Sequence, residues 1–239
     1  MRCYQSSDVK QNITSLKMRR IAIVLVGHYR SFDQTLERLM CETSGLNIDW
    51  YLHTWNTSDA ITLSWHHALP SDKLLTASQK MTLEALDPDY EIGSQSFTQA
   101  ELEDAVFRKP WKAVNYLFTA VQKCLQRVKE SGVEYDYILV SRYDVQLNNM
   151  GLLTLQVPLN HIVVGGRATQ GFYNLNIAAS DVIFALNPAN IDAFIEEKEF
   201  LRNKANYHSS EEPYSQLYVD KFAKVVHQWH YDNHFTIIR

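Results

Sequence analysis

The sequence predicts a single α/β domain built on a mixed β-sheet, with helices on both faces of the sheet. In the first half of the chain, continuous apolar runs alternate with helical patterns, which indicates parallel strands buried on both faces. In the second half the apolar runs follow one another closely, which favours antiparallel additions to the same sheet. The 239 residues fit one such domain, predicted over residues 18–239 after a flexible N-terminal extension over residues 1–17.

The first half begins with a strand–helix–strand unit. Residues 21–26 form a continuous apolar run that ends at Gly27, and Ser31 is placed to cap the helix that follows. The second strand is predicted over residues 50–55. Beyond it, the pattern predicts a polar loop over 56–75, a short helix over 76–86, a brief strand over 90–92, a helix start over 98–107 and the longest helix over 111–129.

The second half is predicted to hold the remaining strands. A buried strand over residues 137–140 leads directly into the segment Ser-Arg-Tyr-Asp at 141–144. The apolar patterns that follow predict strands over 162–164, 181–186 and 235–238, and helices over 188–200 and 211–222.

Composition excludes several classes of function. The net charge is −4 and the basic residues are scattered, whereas nucleic-acid binding rests largely on neutralising phosphates, so nucleic acid is not an expected partner. The longest apolar runs fall well short of the roughly 18 residues of a membrane-spanning helix, so no transmembrane segment is expected. The three cysteines are far apart in the sequence and form no CxxC pair, which indicates neither a disulfide framework nor a zinc site. We therefore expect a reducing compartment and a protein of the cytoplasm, or one peripheral to a membrane.

Asp144 is the first candidate for chemistry. It emerges at the carboxyl end of a buried strand, and open α/β sheets bind ligands at that edge, where the strand order reverses. Mg²⁺ and Mn²⁺ prefer carboxylate oxygens and commonly share their coordination with substrate phosphates. The alternative is structural: Asp144 pairs with Arg142 or caps the next turn.

The turn after the first strand is a candidate phosphate site. Gly27, His28 and Arg30 lie between a strand and a helix start, where backbone N–H groups and a guanidinium favour an anion. The segment matches neither GxGxxG nor a P-loop, so a tight turn with a surface arginine is the alternative. At the end of the second strand, Trp55 is a candidate for stacking on a base or a sugar, with buried packing as the alternative.

The second half supplies candidate acids and histidines. Asp181, Glu211 and Glu212 are candidates for a general base, although acids at a helix start are also explained by capping and by the helix dipole. The C-terminal histidines include His230 and His234, either of which is a candidate for one neutral imidazole ligand to a metal. For most of these histidines a surface position is the simpler interpretation.

The order of these segments resembles the small GT-A-like glycosyltransferases of bacteria and large viruses, which are often linked to polysaccharide or capsid-glycan synthesis. The resemblance spans most of residues 19–239 and implies a Rossmann-like fold. It also implies a UDP- or GDP-linked sugar donor, a glycan acceptor and Mn²⁺ or Mg²⁺. It rests on the strand at 21–26, Gly27-x-x-Arg30, and the segments 49–55, 135–144, 181–184 and 211–213.

The resemblance also implies roles for individual residues. Arg142 and Asp144 stand where GT-A enzymes place an Asp-x-Asp metal motif, so Arg142 replaces the first acid. Asp144 then holds the metal alone or with a late histidine such as His234. Alternatively, Arg142 replaces the metal and supplies the positive charge beside the diphosphate. The turn from Gly27 to Arg30 would hold the nucleotide, and Asp181 would face the acceptor or the donor sugar.

Sugar transfer from a nucleotide sugar to a glycan is accordingly the leading hypothesis. Two others stay open: a non-catalytic nucleotide-sugar or glycan-binding module, which the missing first acid favours, and a nucleotidyltransferase. The latter normally needs a Gly-rich, Lys-bearing loop after the first strand, and Gly27-His28-Tyr29-Arg30 supplies neither feature.

Overall fold

The computed structural model describes residues 19–58, 73–96, 111–166, 183–201, 212–230 and 233–238. The helices of this part are α1 (Phe32–Glu42), α2 (Ala77–Leu86), α3 (Trp111–Glu130), α4 (Asp192–Ile195) and α5 (Glu212–Lys221). The strands are β1 (Arg20–Gly27), β2 (Asn47–Trp55), β3 (Glu91–Gly93), β4 (Tyr137–Arg142), β5 (Val145–Leu147), β6 (His161–Gly166), β7 (Ile183–Leu186), β8 (Lys224–His230) and β9 (Phe235–Ile237).

Within the described residues, seven strands form one mixed sheet in the order β3-β2-β1-β4-β7-β6-β8. The first four strands of the chain are parallel, β7 is antiparallel to both of its neighbours, and β6 and β8 are parallel to each other. Strands β5 and β9 pair separately as an antiparallel ribbon. The predicted mixed sheet is confirmed, with β7 as its antiparallel strand, whereas the β5–β9 ribbon is a separate two-stranded sheet.

The sheet is covered on both faces, as predicted, and β1 shows why. Its residues from 21 to 26 are almost completely buried, and alternate side chains point to opposite faces. Ala22, Val24 and Val26 pack with residues of α3, α4 and α5. Ile21, Ile23 and Leu25 pack with residues of α1, α2 and the β5–β9 ribbon.

Helix α3 is the longest helix of the described residues and begins at the predicted position. Its buried side chains recur at helical spacing, which gives one apolar face against the sheet. Phe118 on this face stacks on Phe200 at a ring distance of 3.7 Å and contacts Tyr214 of α5 edge-on at 5.9 Å. These rings attach α5 to the same face of the sheet as α3.

The predicted helix over 188–200 is wrong in extent. The chain forms a 3₁₀ turn at Pro188–Asn190, followed by the four-residue helix α4. The Asn187 side chain accepts from the Ala189 N–H and starts this turn locally, and the helix ends after Ile195. The predicted extension over 1–17, the helix start over 98–107 and most of the loop over 56–75 lie outside the described residues.

The two described cysteines differ in state. Cys41 is disulfide-bonded, whereas Cys124 is a free and buried thiol. Among the described residues, every helix is too short or too polar to span a membrane.

Gly165 permits close packing between β6, β7 and the ribbon. A Cβ atom there would lie 2.5 Å from Ile183 Cγ2 and 2.8 Å from Phe235 Cε1. We expect Gly165→Ala to lower the free energy of unfolding by about 2 kcal/mol, because the core has no room for the methyl group. Urea denaturation measures this loss.

The control for this prediction is Gly132→Ala. Gly132 has open space around it but a φ of +64°, so it isolates a backbone cost of about 1 kcal/mol. A loss at Gly165 no larger than the loss at Gly132 would contradict the packing argument.

Candidate active site

The strand order reverses between β1 and β4. From β1 the chain first proceeds outward to β2 and β3, and β4 then pairs with the other side of β1. Val26 lies opposite Arg142 in this pairing, so both strands end at the same edge of the sheet. Such a reversal leaves a crevice at the carboxyl ends of the strands, which is where open α/β sheets bind ligands.

Three charged side chains meet at this edge. Arg142 donates from Nε to Oδ1 of Asp144 at 2.9 Å and from Nη2 to Oδ2 at 2.5 Å. Arg30 donates from Nη1 to Oδ2 of the same carboxylate at 2.7 Å. Two guanidinium groups and one carboxylate leave this cluster with a net charge of +1 (two positive, one negative).

The carboxylate of Asp144 is ionised despite its burial. Only 1% of its side chain is exposed, against 20% for Arg30 and 15% for Arg142. Burial by itself would raise the pKa of Asp144, but the charges and hydrogen bonds of Arg142 and Arg30 outweigh it and lower the pKa to about 2. The two arginines and the acid therefore form one charged unit at neutral pH.

The turn between β1 and α1 sets the position of Arg30. Arg30 has a left-handed backbone with a φ of 42°, which costs a residue with a side chain on the order of 1 kcal/mol. Its N–H donates to the carbonyl of Ser58 at 2.8 Å, and the Thr54 hydroxyl donates to the carbonyl of Gly27 at 3.0 Å. The end of β2 thus supports the strained turn.

The main chain around Asp144 is held from two directions. Thr35 of α1 donates its hydroxyl to the carbonyl of Tyr143 at 2.7 Å, and Ile238 after β9 donates its N–H to the carbonyl of Asp144 at 2.8 Å.

Ser31 does not cap α1 with its side chain, contrary to expectation. Its hydroxyl instead donates to the carbonyl of Ile238 at 2.6 Å.

Trp55 lies in the core and does not present its indole ring to a ligand in this structure. It is 5% exposed and contacts His53 and Tyr116 edge-on at ring distances of 4.8 and 5.5 Å. A Cβ atom at Gly93 would approach the indole to 2.6 Å, so the ring fills the space beside β3. His28 lies near it, with Nδ1 3.3 Å from the carbonyl of Thr57.

The remaining predicted residues are dispersed. Glu212 is the first residue of α5 and is buried on the face of the sheet that α3 covers. Asp181 and Glu211 lie outside the described residues. His234 precedes β9, and its carbonyl accepts from the N–H of Asn148. Asn148 lies four residues beyond Asp144 along the ribbon, so roughly 13 Å of extended chain separates His234 from Asp144. The structure does not bring His234 to Asp144.

The described residues fit a divalent cation poorly at this position. They contain no group of three or more His, Cys, Asp and Glu side chains suited to a metal. Both oxygens of Asp144 already accept from guanidinium groups, whereas Mg²⁺ and Mn²⁺ need such oxygens for themselves. The arrangement is suited instead to binding an anion next to the arginines.

A separate cleft of about 620 Å³ lies along α3 and residues 195–201. None of the residues lining it belongs to the carboxyl ends of β1 or β4. It adjoins Leu201, where the described segment ends, and its ionisable lining residues, Glu197, Lys198 and Glu199, follow one another in a single segment. The charged cluster, and not this cleft, is the candidate site.

No family model and no curated protein matches this chain. A solved glycosyltransferase involved in the glycosylation of the major capsid of PBCV-1 is similar to it at 14% identity and a TM-score of 0.47, over 91% of each chain. The glycosyltransferase GlyE of Streptococcus pneumoniae TIGR4 and the galactosyltransferase LgtC, solved with donor and acceptor sugar analogs, are similar at 10% identity. Their TM-scores are 0.44 and 0.47, and the similarity spans 87% of this chain in both cases but 45% and 72% of those chains. All three are glycosyltransferases, the class of protein that the sequence resembles.

Asp144 gives a test of the charged cluster. Because its pKa is about 2 in the folded protein against an ordinary 3.8, its stabilisation is complete above pH 3.8 and is lost as the pH falls toward 2. The shift corresponds to roughly 2 kcal/mol. We expect Asp144→Asn to remove this acid sensitivity and to cost about 3 kcal/mol at pH 7, because two guanidinium groups lose their counter-ion.

The control is Asp49→Asn, which breaks the more exposed pair with Arg20 at the other end of β1. This change should cost clearly less than Asp144→Asn, because solvent screens the pair. Urea denaturation at pH 7 and pH 3 measures both variants. Equal losses at pH 7, or an unchanged pH dependence in Asp144→Asn, would contradict the account.

Proposed function

We propose that this protein is a glycosyltransferase that moves a sugar from a nucleotide-sugar donor to a glycan acceptor. The observation that carries the proposal is the pair of guanidinium groups held on one buried carboxylate at the strand-order reversal. In this proposal Arg30 and Arg142 bind the donor diphosphate, and Asp144 keeps both arginines in place.

The chemistry of arginine supports a diphosphate at this position. A guanidinium has five donors in a planar fork and is able to bridge a carboxylate and a phosphate at once. Two guanidinium groups share the one carboxylate of Asp144 beside the first turn of α1, whose N-terminus also favours an anion. Gly27 and His28 form the same turn and are proposed to lie along the nucleotide.

The reaction breaks the bond between the anomeric carbon and the diphosphate oxygen. The acceptor hydroxyl oxygen forms a new bond to that carbon, its proton passes to a carboxylate, and the nucleoside diphosphate leaves. The arginines stabilise the negative charge that develops on the leaving oxygen, which is the step where fixed positive charge contributes most. Asp181, Glu211 and Glu212 remain the proposed sources of the base.

In this mechanism the arginines, and not Mn²⁺ or Mg²⁺, neutralise the diphosphate. Arg142 occupies the position where a two-carboxylate motif would have its first acid. The carboxylate of Asp144 accepts hydrogen bonds from the arginines. The positive charge that a cation would bring to the diphosphate is supplied by side chains of the protein. Trp55 acts in this proposal only as packing for the end of β2.

The first test is a donor screen that measures nucleotide release from UDP- and GDP-linked sugars in the presence of glycan acceptors. Once a donor is found, Arg30→Ala and Arg142→Ala should each lower kcat/KM by about 100-fold, because each removes a charge from the leaving group. Arg20→Ala is the matched control, since Arg20 pairs with Asp49 at the amino end of β1.

The alternative functions give different results in the same screen. A binding module would bind nucleotide sugars in calorimetry and release no nucleotide. A nucleotidyltransferase would release pyrophosphate from a nucleoside triphosphate and a sugar phosphate. Turnover that is equally fast in Arg30→Ala, Arg142→Ala and wild type would place the active site elsewhere.

A second test identifies the base. Among Asp181→Asn, Glu211→Gln and Glu212→Gln, one variant should lower kcat by about 100-fold or more, the usual contribution of general base catalysis. Its affinity for the nucleoside diphosphate should be unchanged, because the arginines bind that group. The two other variants serve as controls, and near-wild-type rates in all three would exclude these acids as the base.

A further inference from the structure

Ser31 connects the turn of Arg30 to the main chain of Asp144. The Ser31 hydroxyl donates to the carbonyl of Ile238 at 2.6 Å, and the N–H of Ile238 donates to the carbonyl of Asp144 at 2.8 Å. Two consecutive hydrogen bonds therefore link the residue after Arg30 to the acid that Arg30 contacts. Ser31 is 9% exposed, so water competes little for its hydroxyl.

The hydroxyl of Ser31 does not serve its own helix. A serine before a helix ordinarily accepts a hydrogen bond from an N–H of the first turn, but the Ser31 side chain makes no such bond to α1. It is directed instead to the segment after β9, which is 207 residues away in the sequence. Capping of α1 therefore does not explain the hydrogen bond that the Ser31 hydroxyl makes.

The backbone conformation of Arg30, the residue before Ser31, depends on contacts with other parts of the chain. Arg30 has a φ of 42°, a conformation that persists only where neighbouring contacts fix it. On one side its own N–H donates to the carbonyl of Ser58 at 2.8 Å. On the other side Ser31 is tied to Ile238, so the strained residue is fixed on both flanks.

We propose that Ser31 is a positioning residue for the diphosphate site. It does not touch the ligand; through Ile238 it holds Arg30 and Asp144 in register, so that the guanidinium of Arg30 faces the leaving group. Ile238, which follows β9, thereby becomes part of the proposed site. This inference rests on the proposed function, because it assigns Ser31 to the anion site of Arg30 and Arg142.

Calorimetric titration with inorganic pyrophosphate tests this role without a known donor. Ser31→Ala should raise the Kd for pyrophosphate about tenfold, the effect of one lost hydrogen bond of ordinary strength. Ser31→Gly should do the same, and it gives a second variant that lacks the hydroxyl at little cost to the helix. Ser31→Thr keeps the hydroxyl and should bind within about twofold of wild type.

A double-mutant cycle distinguishes positioning from a general loss of stability. If Ser31 acts through Arg30, Ser31→Ala should cause no further loss of pyrophosphate affinity in an Arg30→Ala background. The matched control is Thr43→Val, which removes a buried hydroxyl that donates to Leu39 at the other end of α1. That variant should bind pyrophosphate as wild type does.

The outcomes separate the two proposals. Arg30→Ala that weakens pyrophosphate binding, with Ser31→Ala and Ser31→Gly both unchanged, overturns the positioning role and leaves the proposed function standing. Equal losses from Ser31→Ala with and without Arg30 also overturn the positioning role. Pyrophosphate binding that does not depend on Arg30 overturns both.

Discussion

The carboxylate of Asp144 between two guanidinium groups is the interaction on which the site depends. A buried carboxylate without partners is costly, and so are two arginines of like charge placed close together. Arg30 and Arg142 each supply hydrogen bonds and charge to the same two oxygens, which keeps the acid ionised. Removing Asp144 takes this counter-ion from both guanidinium groups, whereas removing one arginine leaves the carboxylate paired with the other.

The topology of the sheet explains why these side chains meet. Arg30 and Asp144 are 114 residues apart, but β1 and β4 are neighbours and end at the same edge. The ribbon of β5 and β9 then returns the chain to this edge, because Ile238 lies beside Asp144. Three segments distant in the sequence, around Arg30, Asp144 and Ile238, thus meet at the candidate site, and hydrogen bonds connect them.

Local patterns in the sequence are sufficient to predict the main strands and the longest helix. The apolar runs at 21–26 and 137–140 predicted β1 and β4, and the periodicity over 111–129 predicted α3, because burial imposes these patterns directly. The pattern over 188–200 predicts a longer helix than α4. The side chain of Asn187 starts a 3₁₀ turn there, and the apolar pattern does not show this turn. The disulfide of Cys41 was missed because spacing alone does not reveal pairing.

The site was only partly predictable from the sequence. The ends of the apolar runs indicate Arg30, Arg142 and Asp144 as candidates, and a pair of Arg142 and Asp144 is one of the alternatives that the sequence leaves open. The contact of Arg30 with Asp144 required knowing that β1 and β4 are adjacent, and the bond from Ser31 to Ile238 depends on the ribbon. Contacts between residues distant in the sequence leave no local pattern.

Calorimetric titration of UDP and GDP into the protein, with EDTA and again with Mn²⁺, tests the central claim most directly. The account predicts that the preferred nucleotide binds with the same affinity in both conditions, because Arg30 and Arg142 neutralise its diphosphate and Asp144 is engaged by them. Binding that appears only with Mn²⁺ would contradict the account, since Asp144 would then have exchanged its arginines for a metal.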